Sequence, residues 1–282
     1  MPDESDLRYP STSFCSYVLV MAHRGPTEHL LASLSHSAGF RGSGVRTLVG
    51  LDIGPESSTA AVVAAYKALA ARFPDVEFYR VSPSPAGPYV IRSELIERTN
   101  APLILFHDSD DMSCADRVEK LAPALGEDGV GLVGSHELRL DELTHRLVGE
   151  RYPLDVNRAL SLGPGHVQLH PSTIIRREVY ERIGGFSTNT RFGADTQLLL
   201  RAFFYTKIRN VDDFLYIRRR HPDALTVNAD TGNGTPARFR LEAPWRSDFA
   251  RVLSGGRKLG DSSLRRIGGQ TSHEFKRVFG SV

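Results

Sequence analysis

The run Leu103-Ile104-Leu105-Phe106-His107-Asp108-Ser109-Asp110-Asp111 constrains this chain more than any other. Four apolar residues lead straight into three carboxylates, with only a His and a Ser between them. The apolar part is short and follows the turn-forming Asn100 and Pro102, so it reads as a buried strand. Its carboxylates then fall at the strand's carboxyl end, where open α/β sheets bind their ligands. Close acidic groups repel one another unless a cation sits among them, and a hard divalent metal prefers such oxygen donors. A solvated acidic turn opening the next helix, with Asp116 and Arg117 following, is the other meaning of the same residues. The stretch by itself leaves both open.

The rest of the chain repeats the strand-then-helix pattern. Residues 16–22, 45–51, 76–81, 129–135, 171–175 and 208–216 read as further strands. Between them the sequence predicts helices from Thr27, from one of Ser57, Ser58 or Thr59 through Arg72, over 90–98, 116–125 and 177–183, and from Asp195 to Tyr205. Alternation with short connections predicts an α/β fold with a mostly parallel, doubly wound sheet. Residues 137–165 show no clear period. Beyond Pro222 the chain turns Gly-, Asn- and Arg-rich, with weak amphipathic pieces at 245–253 and 273–279. The expected organisation is a loose lead-in over 1–13, a main domain over 14–226 and a basic C-terminal extension over 227–282.

Composition excludes several classes. In 282 residues, 40% are hydrophobic and 24% charged, as in an ordinary soluble globular chain. The net charge of +2 gives no general case for nucleic-acid binding. The excess of positive charge is local: from Pro236 onward there are ten Lys/Arg against four Asp/Glu. Such charge is most often a solvated face, and it could also touch anionic lipid, a substrate or another subunit. Cys15 and Cys114 cannot form a disulfide framework and lack zinc-ligand spacing, so they read as thiols of a reducing compartment. The acidic start Met-Pro-Asp-Glu-Ser-Asp is unlike a signal peptide. No apolar stretch approaches the ~20 residues of a membrane helix. A soluble, cytoplasmic protein is expected, with peripheral membrane contact through the basic C-terminus as an open option.

Several separated pieces point one way when taken in order. They are Gly87-Pro88-Tyr89-Val90-Ile91-Arg92-Ser93, the run 106–117, His170-Pro171-Ser172-Thr173-Ile174-Ile175-Arg176-Arg177, Gly184-Gly185-Phe186, and Gly193-Ala194-Asp195-Thr196. Together they resemble GT-A fold glycosyltransferases, and within these the inverting family 2. Tyr216-Ile217-Arg218-Arg219-Arg220-His221-Pro222 with Leu225-Thr226 is similar to the way many such catalytic domains end. The resemblance covers residues 14–226 and implies a Rossmann-like, twisted, mostly parallel sheet with helices on both faces.

The resemblance also implies roles. Asp108-Ser109-Asp110 looks like the family's DXD motif, with Asp108 near the ribose or metal of a nucleotide sugar and Asp110 as metal ligand. Asp111 competes as ligand, and His221 could complete the shell around Mn²⁺ or Mg²⁺. Asp52 stands where the base is usually met. Ala22, His23 and Arg24 should line the nucleotide pocket, Arg24 as a forked donor to the diphosphate. Arg92 looks like the Arg that approaches the nucleotide, although Ser93 stands where an Asn is common. Asp195 looks like the catalytic base, since inverting transfer needs a carboxylate to take the acceptor's proton. Gln197 replaces a second acid found in many members, a change expected to alter acceptor recognition or tune Asp195. His166 and His170 are weaker candidates, read as structural hydrogen-bonders. Taken together, the roles imply metal-dependent transfer from a nucleotide sugar, expected to be UDP-linked, to a hydroxyl acceptor. A retaining enzyme or a non-catalytic binding member of the fold are the alternatives.

Overall fold

Strands buried on both faces read as apolar runs, and the first four predicted strands take their places in one sheet, although Arg80 and Ser82 leave the third partly exposed. In the computed structural model they form β1 (Tyr17–His23), β2 (Val45–Leu51), β3 (Val76–Ser82) and β4 (Leu103–Phe106). These lie parallel in the spatial order β3-β2-β1-β4. The structure describes residues 16–37, 44–54, 59–221, 224, 226–232 and 234–279. The expected lead-in, Cys15, most of the glycine-rich break after Gly39, and Ser57, Ser58, Pro222 and Leu225 lie outside these residues.

Side chains alternate across the sheet. Val18 and Val20 enter one buried cluster, and Leu19 and Met21 enter the other. Helices α1 (Thr27–His36), α2 (Ala60–Arg72) and α4 (Arg117–Leu121) cover the second face through Leu30, Leu34, Tyr66, Leu69, Val118 and Leu121. Helix α3 (Pro88–Glu97) covers the first face, joined there by α5 (Val156–Leu162), α6 (Arg177–Arg182), α7 (Ala194–Ala202) and α8 (Pro236–Leu253). Gly50 of β2 lets α3 sit close on the sheet: a Cβ there would fall 2.2 Å from Ile91 Cγ2. Of the three candidate caps for α2, Thr59 is seen to act, its Oγ1 accepting from the Val62 N–H at 3.3 Å.

The second half of the sheet is mixed. β8 (Ile174–Arg176) pairs antiparallel with both β4 and β6 (Val130–Asp141), and β6 runs parallel to β9 (Lys207–Arg220) over their whole common length. β5 (Met112–Ser113) borders β9, and β7 (Arg146–Glu150) forms a hairpin with β6. The strand expected over 171–175 is shorter: His170–Ser172 is a 3₁₀ turn, because Pro171 cannot donate to a ladder. β6 and β9 run past their expected ends, since their distal residues are half exposed and polar.

The C-terminal residues also differ from expectation. The weak piece at 245–253 belongs to the eighteen-residue α8, capped by Thr235, with Trp245 and Phe249 buried. The piece at 273–279 is β10 (Glu274–Phe279), a strand added antiparallel to β3. Among the described residues the completed sheet has ten strands in the order β10-β3-β2-β1-β4-β8-β6-β9-β5, with β7 on β6. No described helix is long and apolar enough to cross a membrane.

Candidate active site

A cavity of about 650 Å³ opens at the carboxyl ends of β1, β2 and β4. Ala22, His23, Arg24, Asp52, Arg92, Asp108, Ser109, Asp110, Asp111, Asp195 and His221 all line it, so the fold brings every sequence-predicted site residue to one place. A second cavity of about 770 Å³ adjoins it between α7, α8 and the loop before β8. The two share Asp108, His170, Asp195, Arg218 and Arg238.

The acidic end of β4 forms one wall. Asp108, Asp110 and Asp111 each offer an oxygen within 4.8 Å of the others. Asp108 is paired with the buried Arg92 guanidinium, and its backbone N–H donates to the Tyr216 hydroxyl at 3.1 Å. Asp110 Oδ2 lies 2.8 Å from His221 Nε2. Asp111 is buried and accepts from the Arg219 N–H at 2.8 Å. Burial, and then repulsion from Asp110 and Asp108, pushes the Asp111 carboxyl well above the usual carboxylate range. Burial also raises Asp108 in spite of Arg92, with Asp110 adding to the shift. Asp110 alone is lowered: burial opposes its charge, but the hydrogen bond and charge of His221 outweigh it. The same bond raises His221.

The wall is held from beneath by Arg117, whose side chain is fully buried. Its guanidinium donates to the carbonyls of Phe106, Pro171 and Thr173 at 2.8, 2.9 and 3.3 Å. It therefore ties the end of β4 to the turn before β8. His107 beside it is kept neutral, its pKa lowered to about 3 by burial and by Arg117. His23 is likewise lowered to about 4 by burial, and its Nδ1 lies 2.9 Å from Ser109 Oγ.

Asp195 forms the opposite wall from the first turn of α7, where the helix N-terminus favours a negative charge. Gly193 caps that helix at φ +80°, a conformation side-chain-bearing residues rarely adopt, and a Cβ there would lie 3.1 Å from Leu241 of α8. The Tyr89 hydroxyl donates to Asp195 Oδ1 at 2.9 Å. Burial pushes this carboxyl up, but His170, the Tyr89 hydroxyl and the Thr196 N–H together hold it below its ordinary value. Burial lowers His170 to about 3, and its ring packs on Phe106 at 4.3 Å.

Two residues have partners that the sequence did not show. The Asp52 carboxylate accepts from the Ala86 and Gly87 N–H groups at 3.1 and 3.2 Å, so it fixes the loop entering α3 as well as lining the cavity. Gln197 points away from Asp195. It is buried, and its amide donates to the carbonyls of Ser263 and Arg265 at 2.8 and 3.2 Å. Its place is a strap behind α7, with Arg201 donating to Leu264 O at 2.9 Å. Sequence reasoning missed Tyr89 and Tyr216 as partners of the acidic residues, Arg117 as the tie between the carbonyls beneath them, and Arg191 and Arg238 as lining residues. Tyr89, Tyr216 and Arg117 lie inside runs already singled out, but Asp195, Asp108 and the Pro171 carbonyl that they meet are 106, 108 and 54 positions away and left no local spacing to detect.

No protein-family profile matches the chain, and no curated protein sequence does. Solved structures do. The chain is similar to residues 1–349 of S. aureus TarS, at TM-score 0.57 and 14% identity over 88% of this chain and 75% of that one. TarS 1–349 in complex with UDP-GlcNAc superposes at TM-score 0.61 and 12% identity, covering 88% and 67%. The mannosyltransferase PcManGT from Pyrobaculum calidifontis, in complex with GDP-Man and Mn²⁺, gives 0.55 and 13%, covering 86% and 65%. At such identities the likeness speaks for architecture, and the architecture is a mixed α/β sheet of the GT-A type.

Proposed function

We propose that this chain transfers a sugar from a nucleotide-sugar donor, a UDP-sugar in the first instance, to a hydroxyl acceptor with inversion, as in glycosyltransferase family 2. The observation that carries this reading is the placement of a crowded acidic triad and a separate, well-supported Asp195 on two walls of one cavity. The nucleotide sugars bound by TarS and PcManGT support the donor class. The Mn²⁺ held by PcManGT supports a divalent metal.

The donor set fits such a metal. Three carboxylates within reach of one another supply hard oxygen ligands, and burial with mutual repulsion leaves them in need of a positive charge. Asp110, Asp111 and His221 would hold Mn²⁺ or Mg²⁺, with Asp108 and Ser109 toward the ribose. When bound, the metal supplies Lewis-acid neutralisation of the departing diphosphate.

The chain's own groups do the rest. Ala22, His23 and Asp52 shape the nucleotide end of the cavity. Arg24 is exposed at its mouth, available to a diphosphate oxygen. Arg92 holds Asp108 and lends positive charge beside the leaving group. Asp195, kept ionised, accepts the proton of the attacking hydroxyl as the new glycosidic bond forms and the bond to the diphosphate breaks. Arg218 and Arg238 lie where the two cavities meet, on the acceptor side. We place the protein in the cytoplasm, with the basic C-terminal surface available to anionic lipid.

A panel of nucleotide sugars tested by thermal shift with Mn²⁺, followed by donor hydrolysis with and without EDTA, tests the reading. The expected result is one donor that raises the melting temperature and is hydrolysed only when metal is present. A chain that binds no nucleotide sugar, or hydrolyses one equally well in EDTA, sinks it. Inversion is checked by the anomeric configuration of the product.

A further inference from the structure

Every open sheet edge presents unpaired peptide groups, and proteins blunt such edges with charge, brevity or cover. Among the described residues three strands are paired on one side only, β5, β7 and β10. β5 is two residues long, too short to template another strand. β10 turns the exposed side chains of Glu274, Lys276 and Arg277 to solvent, a charged edge. β7 carries charge only at its two ends, Arg146 and Glu150, and leaves an exposed apolar centre between them. Leu147 and Val148 are 57% and 49% exposed, and Leu143 in the adjoining turn is 75% exposed.

We propose that β7 is the contact through which two copies of this chain pair, antiparallel, into one continuous sheet. The strand Arg146-Leu147-Val148-Gly149-Glu150 is self-complementary about Val148. A two-fold axis there sets Arg146 of each copy opposite Glu150 of the other, and Val148 opposite Val148. Opposite charges placed across a strand pair in this way stabilise it. Arg146 forms no ion pair among the described residues, and Glu150 has only a 3.5 Å contact with Arg139. On the other sheet face Leu147 falls opposite Gly149. A Cβ on Gly149 would lie 3.0 Å from the Phe214 ring, so that ring covers the glycine. Leu147 of the second copy would meet a half-buried aromatic surface there.

The peptide directions agree with this register. The Glu142 N–H donates to Arg220 O at 3.1 Å, on the β9 side of β6. Peptide groups alternate along a strand, so those of Glu137, Arg139 and Asp141 point to β7. Their β7 partners are Glu150, Val148 and Arg146, whose peptide groups are thereby engaged within the hairpin. Those of Leu147 and Gly149 are left aimed outward. In the symmetric pair these two residues stand opposite each other, the arrangement in which an antiparallel pair exchanges both N–H···O bonds. Shifting the register by two residues would lose the charge match.

Sedimentation velocity of the full chain over a wide concentration range tests the proposal, with circular dichroism and melting temperature as folding controls. The wild type is expected to dimerise. Arg146→Glu and Glu150→Arg should each raise the dimer dissociation constant about tenfold or more, because each places like charges opposite one another twice. The double exchange should restore most of the lost affinity. Leu147→Pro, which removes an outward N–H and leaves the hairpin's own ladder intact, should also abolish pairing. A wild type that stays monomeric throughout overturns the proposal. So does a dimer that none of these changes weakens, or a double exchange that associates no better than the single variants.

Discussion

The two acidic walls of the cavity are built on opposite principles. At the end of β4 three carboxylates crowd together, and burial with mutual repulsion drives Asp108 and Asp111 toward the protonated form. At the start of α7 a single carboxylate is satisfied: Asp195 has the Tyr89 hydroxyl, a helix N-terminus and a lowered pKa. One wall is incomplete without an added positive charge; the other is finished. On the proposed reading the contrast separates a wall that would take a cation from a wall that would hold a base, and it can be broken experimentally from either side.

The largest effect is expected at the incomplete wall. Asp110→Ala should lower sugar transfer on the order of a thousandfold or more, because it removes the carboxylate that His221 favours in its charged form and, on the proposed reading, the metal's charge stabilisation with it. It should also abolish the Mn²⁺-induced rise in melting temperature. Activity that survives this change and ignores chelators would show that the wall is no metal site. At the finished wall, Asp195→Asn should lower transfer about a thousandfold, within the range of general-base catalysis. Its donor and metal thermal shifts should stay at wild-type values, and a variant that loses them has lost its fold or its donor site instead.

Smaller effects sharpen the contrast. Saturating Mn²⁺ at about a hundred times its Kd should stabilise the wild type by about 2.7 kcal/mol, read as a few degrees in Tm. Gly193→Ala should destabilise by about 1–2 kcal/mol in denaturant titration, since alanine must adopt the left-handed conformation against Leu241. Tyr89→Phe should be the mildest in rate, with its signature in pH. Asp195 is depressed in the folded state, so its ionised form, and the stability it contributes, persist above the unfolded carboxylate range and are lost as pH falls through the folded value. Removing the Tyr89 donor raises that value, so the acid limb of the kcat profile should move to higher pH while the plateau changes less than about tenfold. An acid limb left in place would exclude Tyr89 as the group that tunes the base.

The sequence made the finished parts of the fold legible and hid the shared ones. β1 and β4 were readable because strands buried on both faces carry apolar runs, β2 and β3 because apolar residues still dominate them, and Asp52 and Asp108 mark the carboxyl ends of β2 and β4. The outer halves of β6 and β9, the β7 hairpin and the strand β10 were not, because their residues are half exposed and follow no clean period. Helix α8 was masked by its arginines and by Pro244, although Trp245 and Phe249 make it part of the core. In the site, the identity of each carboxylate was visible and its support was not. Nothing local tells that Tyr89 will meet Asp195 across 106 positions, or Tyr216 meet Asp108 across 108. Asp52 was singled out for a ligand, but its hydrogen bonds to the loop before α3 depend on where that loop is folded.

The strap behind α7 bears on the order in which the site comes into being. Arg201 and Gln197 are buried, and they are satisfied by the carbonyls of Ser263, Leu264 and Arg265. During synthesis Asp195 leaves the ribosome well before those carbonyls exist. Until they arrive, a guanidinium and an amide at the back of the base-bearing helix lack several of their partners, a state that disfavours docking of that helix. The acidic triad needs β4 and β9, which are complete by Arg220, whereas the back of Asp195's helix is satisfied only once residue 265 has been made. A ribosome stalled between those points would carry a nascent chain whose acidic wall has its strands but whose α7 lacks its strap, so the proposed transfer would wait for that segment.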